Sequence, residues 1–446
     1  MSPEKRVSRR GFLKSTGAAV VGGGLVSGSA PVEASASAPE VKPQEARIQE
    51  YRTLGRTGFD VSDISFGTGS LDNPNVLAVA LDMGVNYIDT AEHYVNGRAE
   101  RTVGEVLPGR DRSSLFVTTK LNLSRGRDSK EEIKERFRQC LERMRTDYAD
   151  CLMIHLTPSV AMVSHEGFHL AAEELKAEGR VRFLGVSNHG MQHAVYGGIE
   201  ESMADVVGAA AEDGRFDMAL FVYNFLQKEQ GEGVIAACQA RDMGVTLMKT
   251  DPVGIGSVLG ERLDTDLGAG RQISEARQKV VRDYVRWTEA AEEFKRLHGL
   301  ESESQVRDAS VKFCLDHPGV HTVSATINSF EVLESFLALS GQRLTQTEGP
   351  MLASYAGLLG PFYCRHGCGI CEPACPNGVR INDVLRYGHY FDAQRREKQA
   401  MQKYASLPGV AAGGCLDCHA PCEDACPYGV PARTLLTRAH RRLTLA

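Results

Sequence analysis

Apolar and polar positions alternate in blocks along most of this chain. Eight short apolar runs, at 61–66, 85–89, 115–120, 150–155, 181–187, 218–223, 245–249 and 320–326, have the length and β-branched content of strands. Helical periodicity fills the gaps. In 131–144 the apolar residues Ile133, Phe137, Leu141 and Met144 follow one another at intervals of four, four and three, which sets them on one helix face. The stretches 290–297 and 306–315 behave similarly. Strand–helix alternation over about 300 residues predicts a parallel sheet, and eight repeats predict its closure into a (β/α)8 TIM barrel. Ahead of the first run, Tyr51 to Gly58 reads as a hairpin whose turn Gly55 and Gly58 permit. Residues 251–285 exceed an ordinary loop and predict an excursion over the barrel mouth.

Polar residues stand where these runs stop. Asp89 closes the second run, Lys120 the third and His155 the fourth, with Tyr94 just beyond the second. In a parallel barrel all four strand ends face the C-terminal mouth, where active sites are built. A lone buried histidine or solvated lysine has a bland structural reading. Four such residues at adjacent strand ends are harder to dismiss.

The segments Asn86-Tyr87-Ile88-Asp89-Thr90-Ala91-Glu92 with Tyr94, Val117-Thr118-Thr119-Lys120, Leu152-Met153-Ile154-His155, Gly185-Val186-Ser187-Asn188 and His317-Pro318-Gly319-Val320 together resemble the aldo-keto reductase family over roughly residues 50–342. The resemblance implies a catalytic tetrad of Asp89, Tyr94, Lys120 and His155. Hydride delivered to a carbonyl carbon leaves charge on oxygen, which must be protonated. A phenol with an ordinary pKa of about 10 is a poor acid at neutrality. Lys120 beside it is expected to favour the phenolate and strengthen the acid, with Asp89 holding the lysine and His155 orienting the substrate oxygen.

The same resemblance implies a nicotinamide cofactor, NADP or NAD. Ser187 and Asn188 match the pair that binds the carboxamide. Leu220 stands four residues before Asn224, where the family usually carries a glutamine for the same group. Asn328 and Ser329 open the segment expected to meet the adenosine end. That segment, 326–342, holds no Lys or Arg, while Glu331 and Glu334 would repel a 2′-phosphate, so the preference for NADP weakens and NAD stays open.

Cysteine placement changes the picture of the last hundred residues. Of twelve cysteines, Cys140, Cys151, Cys238 and Cys314 are scattered and read as small buried hydrophobes. The other eight form a duplicated unit: Cys371 to Val379 recurs as Cys422 to Val430, each preceded seven residues earlier by Cys364 or Cys415. Cys368 stands four after its leader, Cys418 three. Both copies resemble the run of two-cluster ferredoxins with one extra residue. By that resemblance Cys364, Cys368, Cys371 and Cys426 would hold one [4Fe–4S] cluster, and Cys415, Cys418, Cys422 and Cys375 the other. Four disulfides or zinc sites are the rival readings. The intervening 379–407 looks helical, so 350–446 is expected to be a small all-α ferredoxin-like iron–sulfur domain.

The N-terminus changes where the protein is expected to work. Ser8-Arg9-Arg10-Gly11-Phe12-Leu13-Lys14, a Gly/Ala/Val-rich middle and Ala34-Ser35-Ala36 make the three parts of a secretory signal, and the arginine pair resembles a twin-arginine address. Residues 1–36 are read as that signal, 37–48 as a linker, 49–345 as the barrel. Loss of 1–36 removes five basic and two acidic groups and moves the net charge from -6 to -9. An acidic chain argues against nucleic acid as a partner, and no apolar run reaches a membrane span. The expectation is an exported, periplasmic oxidoreductase acting on a small carbonyl or sugar, using the twin-arginine machinery and open to a redox partner. The alternative is an electron-transfer or binding protein on a retained barrel.

Overall fold

A computed structural model describes residues 46–123, 128–189, 201–252, 274–302, 304–392, 394, 396–409 and 412–444. The export address and most of the 251–285 excursion lie outside the described residues. Glu45–Ala446 forms one compact unit.

The eight expected strands close into a parallel barrel. They are β3 (Ile64–Gly67), β4 (Tyr87–Asp89), β5 (Phe116–Leu121), β6 (Ala149–Ile154), β7 (Val181–Asn188), β8 (Met218–Val222), β9 (Gly244–Met248) and β10 (Thr322–Thr326), with β10 pairing both β3 and β9. The run 61–66 is not one strand. Its front half belongs to the antiparallel hairpin β1 (Tyr51–Thr53) and β2 (Asp60–Ser62), and its back half is β3. The break falls at buried Asp63, whose carboxylate accepts from Ser340 Oγ at 2.6 Å and Gly341 N at 2.7 Å. A charged side chain drawn to those donors cannot also continue the apolar alternation of a strand.

The hairpin turn is a single 3-10 turn, Gly55–Thr57, with left-handed Gly55 and Gly58. A Cβ on Gly55 would stand 2.5 Å from the Asp242 carbonyl, so only glycine fits where the hairpin tip meets the start of β9. Leu54 is fully buried there.

Helices coat the barrel by their apolar stripes. Lys130–Met144 starts with a capping box of Ser129 and Glu132 and buries Ile133, Phe137, Leu141 and Met144, the face expected from the spacing. Farther on, Glu275–His298 and Ser304–Asp316 pack with Glu348–Leu359 around Trp287, Phe294, Val306 and Tyr355. The first helix after the barrel therefore shares its core with the barrel's own helices.

Beyond it the described residues carry helices only: Ile381–Asp392, Glu397–Ala405, Pro421–Asp424 and Ala432–Leu443, joined by 3-10 turns. Their core of Val379, Val384, Tyr404, Leu436 and Leu443 also buries Cys415 and Cys422. No described helix is long and apolar enough to cross a membrane.

Candidate active site

The barrel mouth is strained where the chemistry is expected. Asp89 ends β4, Lys120 is the next-to-last residue of β5, and His155 follows β6 directly. Tyr94 sits in the turn after β4, and the chain then passes through three left-handed residues, Val95, Asn96 and Gly97. Leu156 and Lys249 at the ends of β6 and β9 are left-handed too. Such conformations cost about 1–3 kcal/mol each for residues other than glycine and collect at functional sites.

These elements bring the four side chains together. Lys120 Nζ, fully buried, donates to Asp89 Oδ2 at 2.7 Å, to the Thr90 carbonyl at 2.7 Å and to Tyr94 Oη at 3.3 Å. His155 lies edge-on to Tyr94 with ring centres 5.5 Å apart. Burial alone would discharge Lys120, but Asp89 and Tyr94 raise it above its ordinary value and keep it an ammonium. Burial raises Tyr94 above its ordinary value, with Lys120 pulling the other way and not winning. The phenol is thus a weaker acid than expected and stays protonated at neutrality. Burial also holds His155 well below its ordinary value, so it is a neutral imidazole, and its Nδ1 has no hydrogen-bond partner.

The expected cofactor contacts are fixed in part by the protein itself. Leu156 N donates to Ser187 Oγ at 3.0 Å, and Asn188 Nδ2 donates to the Thr157 carbonyl at 2.8 Å. Both residues are buried beside His155's strand end, and Leu220 is buried and apolar. Ser329 Oγ accepts from Val332 N and caps the helix Phe330–Leu337. Asn328 precedes that cap.

The sequence missed half of the site. A cavity of about 440 Å³ lies over Tyr94 and His155, and its far wall comes from residues 366–403. His93, His189, Lys249, His366, Arg386, Tyr390 and Arg396 all line it. Lys249 could have been found, since it closes an apolar run as Lys120 does. The C-terminal residues carried no local signal.

All twelve cysteines are unpaired, and the four scattered ones are buried. Cys364, Cys368, Cys371 and Cys426 line one small cavity. Cys415 is raised by burial and by the nearby Cys375, Cys422 and Cys418, to about 12. Asn382 Nδ2 donates to Cys364 Sγ at 3.1 Å, Val379 N to Cys375 Sγ at 3.4 Å, and Ala420 N to Cys418 Sγ at 3.4 Å. Among the described residues no group of three or more His, Cys, Asp or Glu side chains is arranged to hold a metal ion.

Comparison with known proteins agrees with the barrel fold. Residues 64–355 match the Aldo/keto reductase family. The chain is 26% identical over 321 residues to an uncharacterized oxidoreductase, YqkF, of Bacillus subtilis, covering 68% of this chain and 95% of that one. It is 29% identical to L-galactose dehydrogenase of Arabidopsis thaliana over 206 residues, 42% of this chain and 64% of the relative. In fold it is similar to an aldo-keto reductase from Bacillus halodurans in its holo form, with a TM-score of 0.50 and 23% identity over 68% of this chain and 95% of that one. With the tetrad assembled at the mouth of a closed barrel and the family matched across that barrel, this chain belongs to the aldo/keto reductase family and is an NAD(P)-dependent oxidoreductase.

Proposed function

We propose that the protein reduces a small carbonyl compound, an aldehyde, ketone or sugar, or oxidises the matching alcohol, at the barrel mouth. The observation that carries this is the Lys120 ammonium standing 2.7 Å from Asp89 and 3.3 Å from Tyr94 beneath a cavity. Bound nicotinamide supplies the hydride; Ser187 and Asn188 would hold its carboxamide, and Asn328 and Ser329 its adenosine end. The donor set fits with one partner fewer, because Leu220 offers the carboxamide no hydrogen bond.

Tyr94 Oη gives its proton to the carbonyl oxygen. The phenolate left behind faces Lys120, whose charge Asp89 maintains, so the ammonium stabilises the new anion where it forms. Neutral His155 can direct an N–H at the same oxygen and orient it. Assay of NADH and NADPH oxidation against a panel of sugars, aldehydes and ketones tests the reading, and no turnover of any of them would defeat it. If the clusters rather than the barrel carried the function, Tyr94→Phe would leave electron transfer to an artificial acceptor intact and no carbonyl reduction would exist to lose.

The C-terminal helices are part of the same reading, as a holder of two [4Fe–4S] clusters. Cys364, Cys368, Cys371 and Cys426 around one cavity, the neighbouring set of Cys375, Cys415, Cys418 and Cys422, and N–H donors at three of the sulfurs support it. A cubane spreads its four ligands farther apart than a single ion does, and the described residues form no group of three or more such side chains that could hold a metal ion. Iron and acid-labile sulfide in anaerobically purified protein decide it.

Export by the twin-arginine route completes the proposal, on the strength of Arg9-Arg10 and the small-residue exit at 34–36. Since dinucleotide is not replenished outside the cytoplasm, the cofactor is expected to travel bound. A reporter fused behind residues 1–36 that stays in the cytoplasm would overturn the export reading.

A further inference from the structure

The cavity over Tyr94 is strongly cationic. Lys249, Arg380, Arg386, Arg396 and Lys403 line it, against the two carboxylates of Glu372 and Asp383. Both carboxylates are committed. Asp383 pairs with Arg380 on its own helix turn, and Glu372 Oε1 accepts from Asn382 N at 2.9 Å. Lys249, Arg386, Arg396 and Lys403 form no ion pair among the described residues. The histidines nearest the tetrad do not add charge: burial holds His93 below its ordinary value, and His155 and His189 well below.

Two of these cations are placed as if for a ligand. Arg386 is only 9% exposed and its Nε has no hydrogen-bond partner, while the rest of its guanidinium meets the Tyr363 hydroxyl and, at 3.5 Å, the Cys364 carbonyl, so it stands between the cavity and the proposed cluster. Lys249 Nζ, half-buried, meets the Tyr390 hydroxyl at 3.2 Å and its ring at 5.3 Å, a neutral partner in place of a carboxylate. A buried cation without a counter-ion is costly, and burial holds Lys249 below its ordinary value, so an arriving anion would favour its charged form. Tyr390 and Tyr94 line the same cavity, so this cluster and the reacting phenol share one small space.

We propose that the substrate is a carbonyl compound carrying its own anionic group, a carboxylate or a phosphate, with the anion held by Lys249, Arg386 and Arg396 while the carbonyl meets Tyr94 and His155. This rests on the carbonyl-reductase reading above and narrows it. A cavity of about 440 Å³ suits one small molecule. The cofactor's diphosphate is the competing anion, but none of Ser187, Asn188, Asn328 and Ser329 lines this cavity. The subsite does not exist on the barrel alone, because Arg386, Tyr390 and Arg396 come from the C-terminal helices.

Matched substrates test it on the full-length holoenzyme: succinic semialdehyde against butanal, and D-glucuronate and D-glucose 6-phosphate against D-glucose. The expected result is a kcat/KM at least about 10–100-fold higher for an anionic member than for its neutral twin, the worth of one or two charge-assisted hydrogen bonds. Lys249→Met and Arg396→Gln should each collapse that ratio through KM, while the Kd for NADH and NADPH, read by fluorescence titration, stays put. The favoured anion should also raise the Tm of the wild type more than that of Lys249→Met. Equal rates for anionic and neutral twins overturn the inference and leave the carbonyl-reductase reading standing. A Lys249→Met variant that loses dinucleotide affinity but keeps the substrate ratio also overturns it, assigning the cations to the diphosphate. Failure to turn over any carbonyl sinks the underlying reading instead.

Discussion

Lys249 Nζ lies 3.2 Å from Tyr390 Oη, joining the end of a barrel strand to a helix 141 residues later in the chain. Burial would raise the phenol, but Lys249, Arg386 and Lys403 more than offset it and bring Tyr390 down to about 8. Below that pH the phenol is neutral and the cations are unshared. Above it the phenolate pairs with Lys249, itself held below its ordinary value by burial, and competes with an incoming anion. KM for an anionic substrate should therefore rise as pH passes about 8, and Tyr390→Phe should flatten the rise. A wild-type KM independent of pH from about 7 to 9 contradicts this.

Tyr94 behaves oppositely, because burial keeps it above its ordinary value. It remains a proton donor throughout neutrality, and its loss should cost about 10²–10⁴-fold in kcat for carbonyl reduction. Tyr94→Phe retains the ring beside His155, so dinucleotide binding should be unchanged. Steady-state kinetics alongside a dinucleotide titration separate the two effects.

Lys120→Met tests how much the tetrad costs the fold. It strands the Asp89 carboxylate, 4% exposed, without its cation, and breaking such a buried pair destabilises by about 3–5 kcal/mol. Adding Asp89→Asn to that variant should restore most of the stability and none of the activity. Urea unfolding of the two variants and the wild type measures the difference.

The two cysteine sets predict a stoichiometry. Cys426→Ser should remove the cluster of the set it shares with Cys364, and Cys375→Ser the other, each halving iron and sulfide. Loss of all iron in both variants would mean that the sets do not assemble independently.

Much of the barrel was legible because its signals are local. A strand buried on both faces is a short apolar run, and a coating helix repeats its apolar face every three or four residues. The tetrad was legible by the same logic, since a polar residue closing such a run must face the barrel mouth. The run 61–66 misled because a buried carboxylate, Asp63, interrupts it for the sake of partners at 340 and 341. Lys249 carried the same end-of-strand signal as Lys120, but no neighbouring residue in the sequence suggested a partner for it.

The sequence by itself determined the barrel, the order of its strands, the four residues at its mouth and the duplication of the cysteine unit, because each is written in spacing along the chain. Tertiary structure alone decided that the helices Ile381–Asp392 and Glu397–Ala405 close the mouth and line its cavity with cations. It alone decided too that burial outweighs Lys120 in setting the acidity of Tyr94. Contacts between segments more than a hundred residues apart leave no period in the sequence. The cost of removing a charge from water depends on everything packed around it, which no stretch of sequence contains.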